Sequence, residues 1–208
     1  QSPSSAASDV YKRQVEGTLN VLVAARDAKV NKFVMASSSS VYGNTPTLPK
    51  EEQMAPQPLS PYAVSKLAGE LYAMKFFQIY GLPTIALRYF NVFGAQQDPN
   101  SQYAAVIPKF ITALLKNEAP IVHGDGEQSR DFTYIDNVIE ANLCACHSDA
   151  KGEYMNAACG NRFTLNQLVG KLQELIASTA QPIHEANRQG DVKHSHASIE
   201  KALSLIHI

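Results

Sequence analysis

Tryptophan is absent and cysteine is scarce: Cys144, Cys146 and Cys159 are the only three in 208 residues, and no two form a C-x-x-C pair. So odd and sparse a set excludes a disulfide framework and argues against a zinc site. An excess of one charge is missing too. Lys and Arg number 18 against 19 Asp and Glu, a formal net charge of −1, so there is no electrostatic footprint for nucleic acid or for an anionic membrane. No apolar run approaches the ~20 residues needed to cross a bilayer, and the opening QSPSSAAS has no basic segment leading into an apolar one. The expectation is a cytoplasmic protein of one large domain or two small ones.

Both ends are expected not to be native. Residues 9–14, DVYKRQ, can be encoded by GAT GTG TAT AAG AGA CAG, and the reverse complement of that string encodes LSLIHI, residues 203–208. The string matches a transposon end used in sequencing libraries, whose upstream adapter encodes residues 4–8. Residues 1–14 and 203–208 are therefore read as translated adapter, which leaves 15–202 as the natural part.

Within that part, two periods alternate. Leu19, Leu22 and Val23 recur at helical spacing, and Val21, Ala24 and Ala25 widen the stripe, so 17–28 suits a largely buried helix. KFVMA (32–36) is a short apolar run of the kind buried on both faces of a parallel sheet. Ser60-Pro61 opens a helix and Gly81-Leu82-Pro83 closes it. TIALRY (84–89) is the next strand, followed by a helix over 106–115, a strand at 120–122 and helices over 135–147 and 164–178. Thr164 and Gln167 form a capping box for the last of these. Such alternation predicts an α/β, doubly wound parallel sheet with ligands bound beyond the carboxyl ends of its strands.

The chemistry gathers at those strand ends. KFVMA runs into Ser37-Ser38-Ser39-Ser40-Val41-Tyr42-Gly43, and one loop later Tyr62-Ala63-Val64-Ser65-Lys66 opens a helix. Tyr62 and Lys66, four apart, share a helix face, where the cation can favour the phenolate. A hydroxyl of the serine run could then share a substrate proton with Tyr62. Neither motif is specific alone; the two in succession at a strand end are.

The strings SSSSVYG, SPYAVSK, LRYFNVFG and GDGEQSRDFTYIDNV resemble the extended short-chain dehydrogenases/reductases, in the NAD-dependent epimerase/dehydratase family. The stretch LRYFNVFGAQQDPNSQYAAVIPKF is similar to UDP-N-acetylglucosamine 4-epimerases of surface-polysaccharide pathways. The resemblance implies an incomplete Rossmann-type sheet, with residues 15–93 forming the C-terminal part of the NAD-binding domain and 94–202 mainly a smaller substrate-binding α/β lobe. It implies NAD as cofactor, a UDP-sugar as substrate, a homodimer as the assembly, and no part for nucleic acid, membrane or metal.

Residue by residue, the resemblance makes Ser38 the catalytic serine, Tyr62 the base, and Lys66 the grip on the nicotinamide ribose. Tyr89 and Phe90 match positions packed near the nicotinamide, and Asn91 matches an asparagine on the sugar diphosphate. Ala105, Val106 and Lys109 are implied near the uridine, and Arg130 on phosphate, where a planar fork can donate twice. Arg188 and Asp191, of an R-x-G-D motif, are implied on diphosphate and ribose. Ser195 is implied to line the hexose pocket, where a small side chain leaves room for a 2-N-acetyl group. The family's glycine-rich phosphate loop is not found before Val15, so this polypeptide is expected to bind NAD poorly and to be inactive alone.

His194-x-His196 invites a metal reading, but with no third ligand in view these are read as loop residues. Two other functions compete. A 4,6-dehydratase or decarboxylase of the same fold would need further acid and base groups, and the dehydratase's Asp-Glu pair is here Ser39-Ser40. A non-catalytic sugar-nucleotide binder would be expected to lose Tyr62 or Lys66, and both are present.

Overall fold

A computed structural model describes residues 3–98, 106–186 and 192–207. Helix α1, Pro3–Asp27, leads into strand β1, Phe33–Ser38, and a 3-10 turn, Ser39–Tyr42. Helix α2, Pro61–Tyr80, then returns the chain to β2, Thr84–Tyr89. The rest consists of β3 (Val92–Phe93), α3 (Val106–Leu115), β4 (Ile121–His123), β5 (Ser129–Arg130), β6 (Thr133–Tyr134), α4 (Ile135–His147), β7 (Glu153–Ala157), β8 (Phe163–Thr164), α5 (Leu165–Ile176), β9 (Ile183–Glu185) and α6 (Glu200–Ile206).

The main sheet is parallel, in the order β1-β2-β7. Its register runs from Phe33 opposite Thr84 to Ser38 opposite Tyr89, and from Ile85 opposite Glu153 to Tyr89 opposite Ala157. Alternation along β2 divides the two faces. Ala86 packs with Leu22, Ala25, Ala73, Met74 and Phe76 of α1 and α2. Ile85 and Leu87 pack with Met155 and with Ala141, Ala145, Ala202 and Ile206 of α4 and α6. Helices thus cover both faces, the doubly wound arrangement expected.

Local chemistry accounts for the boundaries. Ser60 Oγ accepts from Ala63 N at 3.2 Å, Pro61 sits in the first turn, and Gly81 ends α2 at φ 70° with its N–H on Phe77 O. In α5, Thr164 Oγ1 accepts from Gln167 N while Gln167 Oε1 accepts from Thr164 N, the reciprocal cap predicted.

Two expectations need correction. β1 is not buried on both faces: of its six residues only Ser37 is buried, because the strand has a single described neighbour, β2. The first helix begins at Pro3 rather than Gly17, since Pro is tolerated at a helix start and no breaker follows it before Gly17. A third cluster, Phe110, Leu114, Val122, Leu165, Val169 and Leu172, joins α3, β4 and α5. Around it lie the short pairs β3-β6, β4-β9 and β5-β8. Among the described residues no helix is long and apolar enough to cross a membrane.

Candidate functional site

The serine run turns the chain at the carboxyl end of β1. Ser38, extended at φ −150°, caps the 3-10 turn, and its Oγ accepts from Ser40 N at 3.2 Å and from Ser40 Oγ at 3.0 Å. Both bonds use Ser38 as acceptor, so its own proton remains available for donation. The turn ends at Gly43, φ 61°, where a Cβ would lie 1.9 Å from Gln57 O. Only glycine lets the 57–59 segment pass this closely.

The first turn of α2 faces that end of the sheet. Lys66 Nζ donates to Ala36 O at 3.1 Å, two residues before Ser38, and sits 5.8 Å from the centre of the Tyr62 ring. Burial holds the Lys66 ammonium below the usual lysine range. Tyr62 stays 37 % exposed. Lys66 thus ties the start of α2 to the end of β1, while the Ser38 hydroxyl is bonded to Ser40 and no described bond joins it to Tyr62.

The strand end LRYFN behaves differently at each residue. Tyr89 directs its hydroxyl to Asn142 Oδ1 of α4 at 2.9 Å, and burial pushes its ionisation upward. Phe90 is 1 % exposed and packs with Val41, Tyr42 and Ala197. Both are packed residues, the floor of a site rather than its reaching groups. Asn91 turns outward at φ 30°, and its Nδ2 donates to Asp131 O at 3.2 Å and to Ser195 Oγ at 3.0 Å.

Two clefts of about 200 Å³ each share Asn91 and Arg130. One also contains Ser39, Ser40, Lys50, Phe90, His194 and Ser195. The other runs past Val106, Ile107, Ile121, His123 and Phe132, and Lys109 lines a third hollow that continues it along Val106. Arg130 Nη1 donates to Ser129 O at 3.0 Å and Lys193 O at 3.1 Å, which holds its guanidinium at the junction. Of the expected substrate residues, Asn91, Val106, Lys109, Arg130 and Ser195 come together here; Ala105, Arg188 and Asp191 lie outside the described residues.

The histidines on either side of Ser195 serve the loop. His194 Nδ1 is 2.9 Å from Ser129 Oγ and His196 Nε2 is 3.1 Å from Gly160 O. Burial and the charges of Arg162, Lys193 and Arg130 hold His194 below the ordinary histidine range, so the same charges make this corner attractive to an anion. Among the described residues no three His, Cys, Asp or Glu side chains gather to hold a metal.

Two buried polar groups escaped the sequence reading. Asp131 is wholly buried: Oδ1 accepts from Cys159 N at 3.1 Å and Oδ2 from Ala197 N at 3.2 Å. Burial pushes its pKa above the usual carboxylate range, and those N–H bonds oppose the rise. Arg88 and Glu70 form the other, 1 % and 2 % exposed with Nη2–Oε1 at 2.6 Å and Nε–Oε2 at 3.0 Å. Burial works against the guanidinium charge, but Glu70 outweighs it and the charge is held. The signal for this pair was visible: an arginine inside the apolar run TIALRY has to find a partner.

Comparison with known proteins extends these observations. The profile of the NAD dependent epimerase/dehydratase family matches residues 2–158. The chain is 40 % identical over 192 residues to a putative UDP-glucose 4-epimerase of Methanocaldococcus jannaschii, covering 92 % of this chain and 62 % of that one. It is 36 % identical over 165 residues to a human dTDP-D-glucose 4,6-dehydratase, covering 79 % of this chain and 46 % of the relative. A solved structure of the UDP-N-acetylglucosamine 4-epimerase from Methanobrevibacter ruminantium M1, in complex with UDP-N-acetylmuramic acid, superposes with a TM-score of 0.94 at 41 % identity. That match covers all of this chain and 67 % of the other. The chain therefore spans about three fifths of the length of the relative from Methanocaldococcus.

Proposed function

The chain belongs to the NAD dependent epimerase/dehydratase family, and we propose that the full-length protein inverts C4 of a UDP-hexose, with UDP-N-acetylglucosamine and UDP-N-acetylgalactosamine as the favoured pair. The carrying observation is that Lys66 of α2 reaches the end of β1, donating to Ala36 O two residues before Ser38, with the Tyr62 ring 5.8 Å from its ammonium. Tyr62 takes the proton of the sugar 4-hydroxyl and later returns it, Ser38 shares that proton, and Lys66 holds the cofactor ribose. The residues fit NAD at this point. Lys66 is partly desolvated and has one described hydrogen bond, so its other N–H donors suit a ribose diol. When bound, NAD supplies the acceptor and donor of the C4 hydride. The test is to assay the full-length protein with UDP-N-acetylglucosamine and UDP-glucose and to follow epimer formation; no turnover of either would reject the reading.

Asn91 and Arg130, at the junction of the two clefts, take the diphosphate, and Val106 and Lys109 flank the uridine. We extend those roles to Ala105, Arg188 and Asp191 by the family pattern. Tyr89 and Phe90 form the packed base below the nicotinamide. A 4,6-dehydratase is the second reading, favoured by the similarity to the human enzyme. It is disfavoured by the cleft beside Ser38, whose described lining of Ser39, Ser40, Gly43, Lys50, Phe90, Asn91, Arg130, Val192, His194 and Ser195 has no carboxylate to drive elimination.

Ser195 sets the sugar range. Ser195→Tyr is expected to lower kcat/KM for UDP-N-acetylglucosamine about 100-fold while changing UDP-glucose less than about threefold, because bulk would fill the space of the N-acetyl group alone. Equal loss of both substrates in a coupled assay would overturn this role.

The near-neutral charge and scarce cysteine suit a cytoplasmic enzyme supplying surface-polysaccharide synthesis. Its homodimer would form through α1 and α2, which leave Val21 at 55 %, Val64 at 53 % and Leu71 at 54 % exposure. Leu71→Glu should raise the dimer dissociation constant about 10- to 100-fold, the effect of a charge placed in an apolar contact. Size-exclusion with light scattering reads it, and an unchanged dimer would place the interface elsewhere.

A further inference from the structure

We propose that Ser37, Glu70 and Arg88 are positioning residues that lock the Tyr62–Lys66 turn of α2 to the Ser38 end of β1. The inference rests on the reading of Ser38, Tyr62 and Lys66 given above. Ser37 and Arg88 are register partners on neighbouring strands. Both meet the Glu70 carboxylate of α2: Ser37 Oγ donates to Oε2 at 2.8 Å, Arg88 Nε to Oε2 at 3.0 Å, and Arg88 Nη2 to Oε1 at 2.6 Å.

Two members of this cluster lie next to a reacting group. Ser37 immediately precedes Ser38, and Glu70 lies one helical turn beyond Lys66, on the same face. With Lys66 Nζ on Ala36 O, α2 is tied to β1 at two successive turns. A planar guanidinium against a carboxylate fixes angle as well as distance. The Arg88 guanidinium is itself held between the rings of Tyr42 at 4.7 Å and Tyr154 at 4.3 Å. Tyr42 belongs to the turn that Ser38 caps and donates to Asn156 Oδ1 at 2.7 Å. Strand, turn and helix therefore share one buried hub.

A buried ion pair is weak evidence for stability, since apolar side chains of the same volume often do as well. What three directed donors on one carboxylate add is a single angular setting of helix on sheet. The Tyr62 phenol and the Ser38 hydroxyl must both reach one sugar oxygen, so that setting governs the chemical step more than binding.

The test uses the full-length protein with Ser37→Ala, Ser37→Thr and Glu70→Gln. Ser37→Ala is expected to lower kcat about tenfold, the rate equivalent of one charge-assisted hydrogen bond, with KM for the UDP-sugar within about twofold. Ser37→Thr, which keeps the hydroxyl, restores kcat. Glu70→Gln gives the same split between kcat and KM, and carries the test where Ser37→Ala does not fold. A lowered Tm with wild-type kcat, or a Ser37→Thr no better than Ser37→Ala, would overturn the proposal. An inactive unsubstituted protein would instead overturn the underlying epimerase reading, so the two failures are told apart.

Discussion

Tyr62→Phe in the full-length protein is expected to lower epimerase turnover by about 10²- to 10⁴-fold, the contribution of a positioned general acid–base group. Phenylalanine keeps the ring that the Lys66 ammonium faces at 5.8 Å, so the helix turn and the grip of Lys66 on Ala36 O should persist. Tm and KM for the UDP-sugar should then stay near their original values while kcat falls. The exposure of Tyr62 supports that separation, because its hydroxyl carries no described bond in the fold. Unchanged epimer formation by Tyr62→Phe would take the acid–base role away from Tyr62 and assign it to another group.

The second large effect is on stability. Arg88→Leu is expected to cost about 3–5 kcal/mol, because it leaves the buried Glu70 carboxylate without its counter-charge. That is a large part of the ~5–15 kcal/mol that separates folded from unfolded domains. Replacing both partners, with Glu70→Leu added to Arg88→Leu, should recover most of the loss, since no unpaired charge is then buried. Urea unfolding of the single and double variants measures this. A double variant no more stable than Arg88→Leu alone would mean that the loss lies in packing against Tyr42 and Tyr154 rather than in the stranded carboxylate. The two variants separate the energetic role of the pair from the kinetic one argued above: a stable but slow double variant is what both together require.

The parts of this fold that could be read beforehand are those whose signals are local. Helix α2 ends where Ser60, Pro61 and Gly81 say it should, and α5 opens on the Thr164–Gln167 box. β2 matches its apolar run residue for residue. β7 went unread because EYMNA has neither alternation nor a run. Its place in the sheet depends on Asn156, whose side chain donates to Lys50 O and Ser198 O and accepts from Tyr42, partners 42 to 114 residues away. The partial exposure of β1 was hidden for a similar reason: a sequence shows that a strand is apolar, not how many neighbours it has. For the proposed site, Ser38, Tyr62 and Lys66 are suggested by their order along the chain. Asp131 could not, since its work is to hold the backbone N–H groups of Cys159 and Ala197, and such partners leave no mark in a motif.

The hydrogen bond from Asn91 Nδ2 to Ser195 Oγ joins positions 104 residues apart and couples them energetically. A change at either frees a polar group of the other in a partly buried corner, so their effects will not add. A library that varies positions 91 and 195 together therefore reaches combinations whose effects the single substitutions do not foretell.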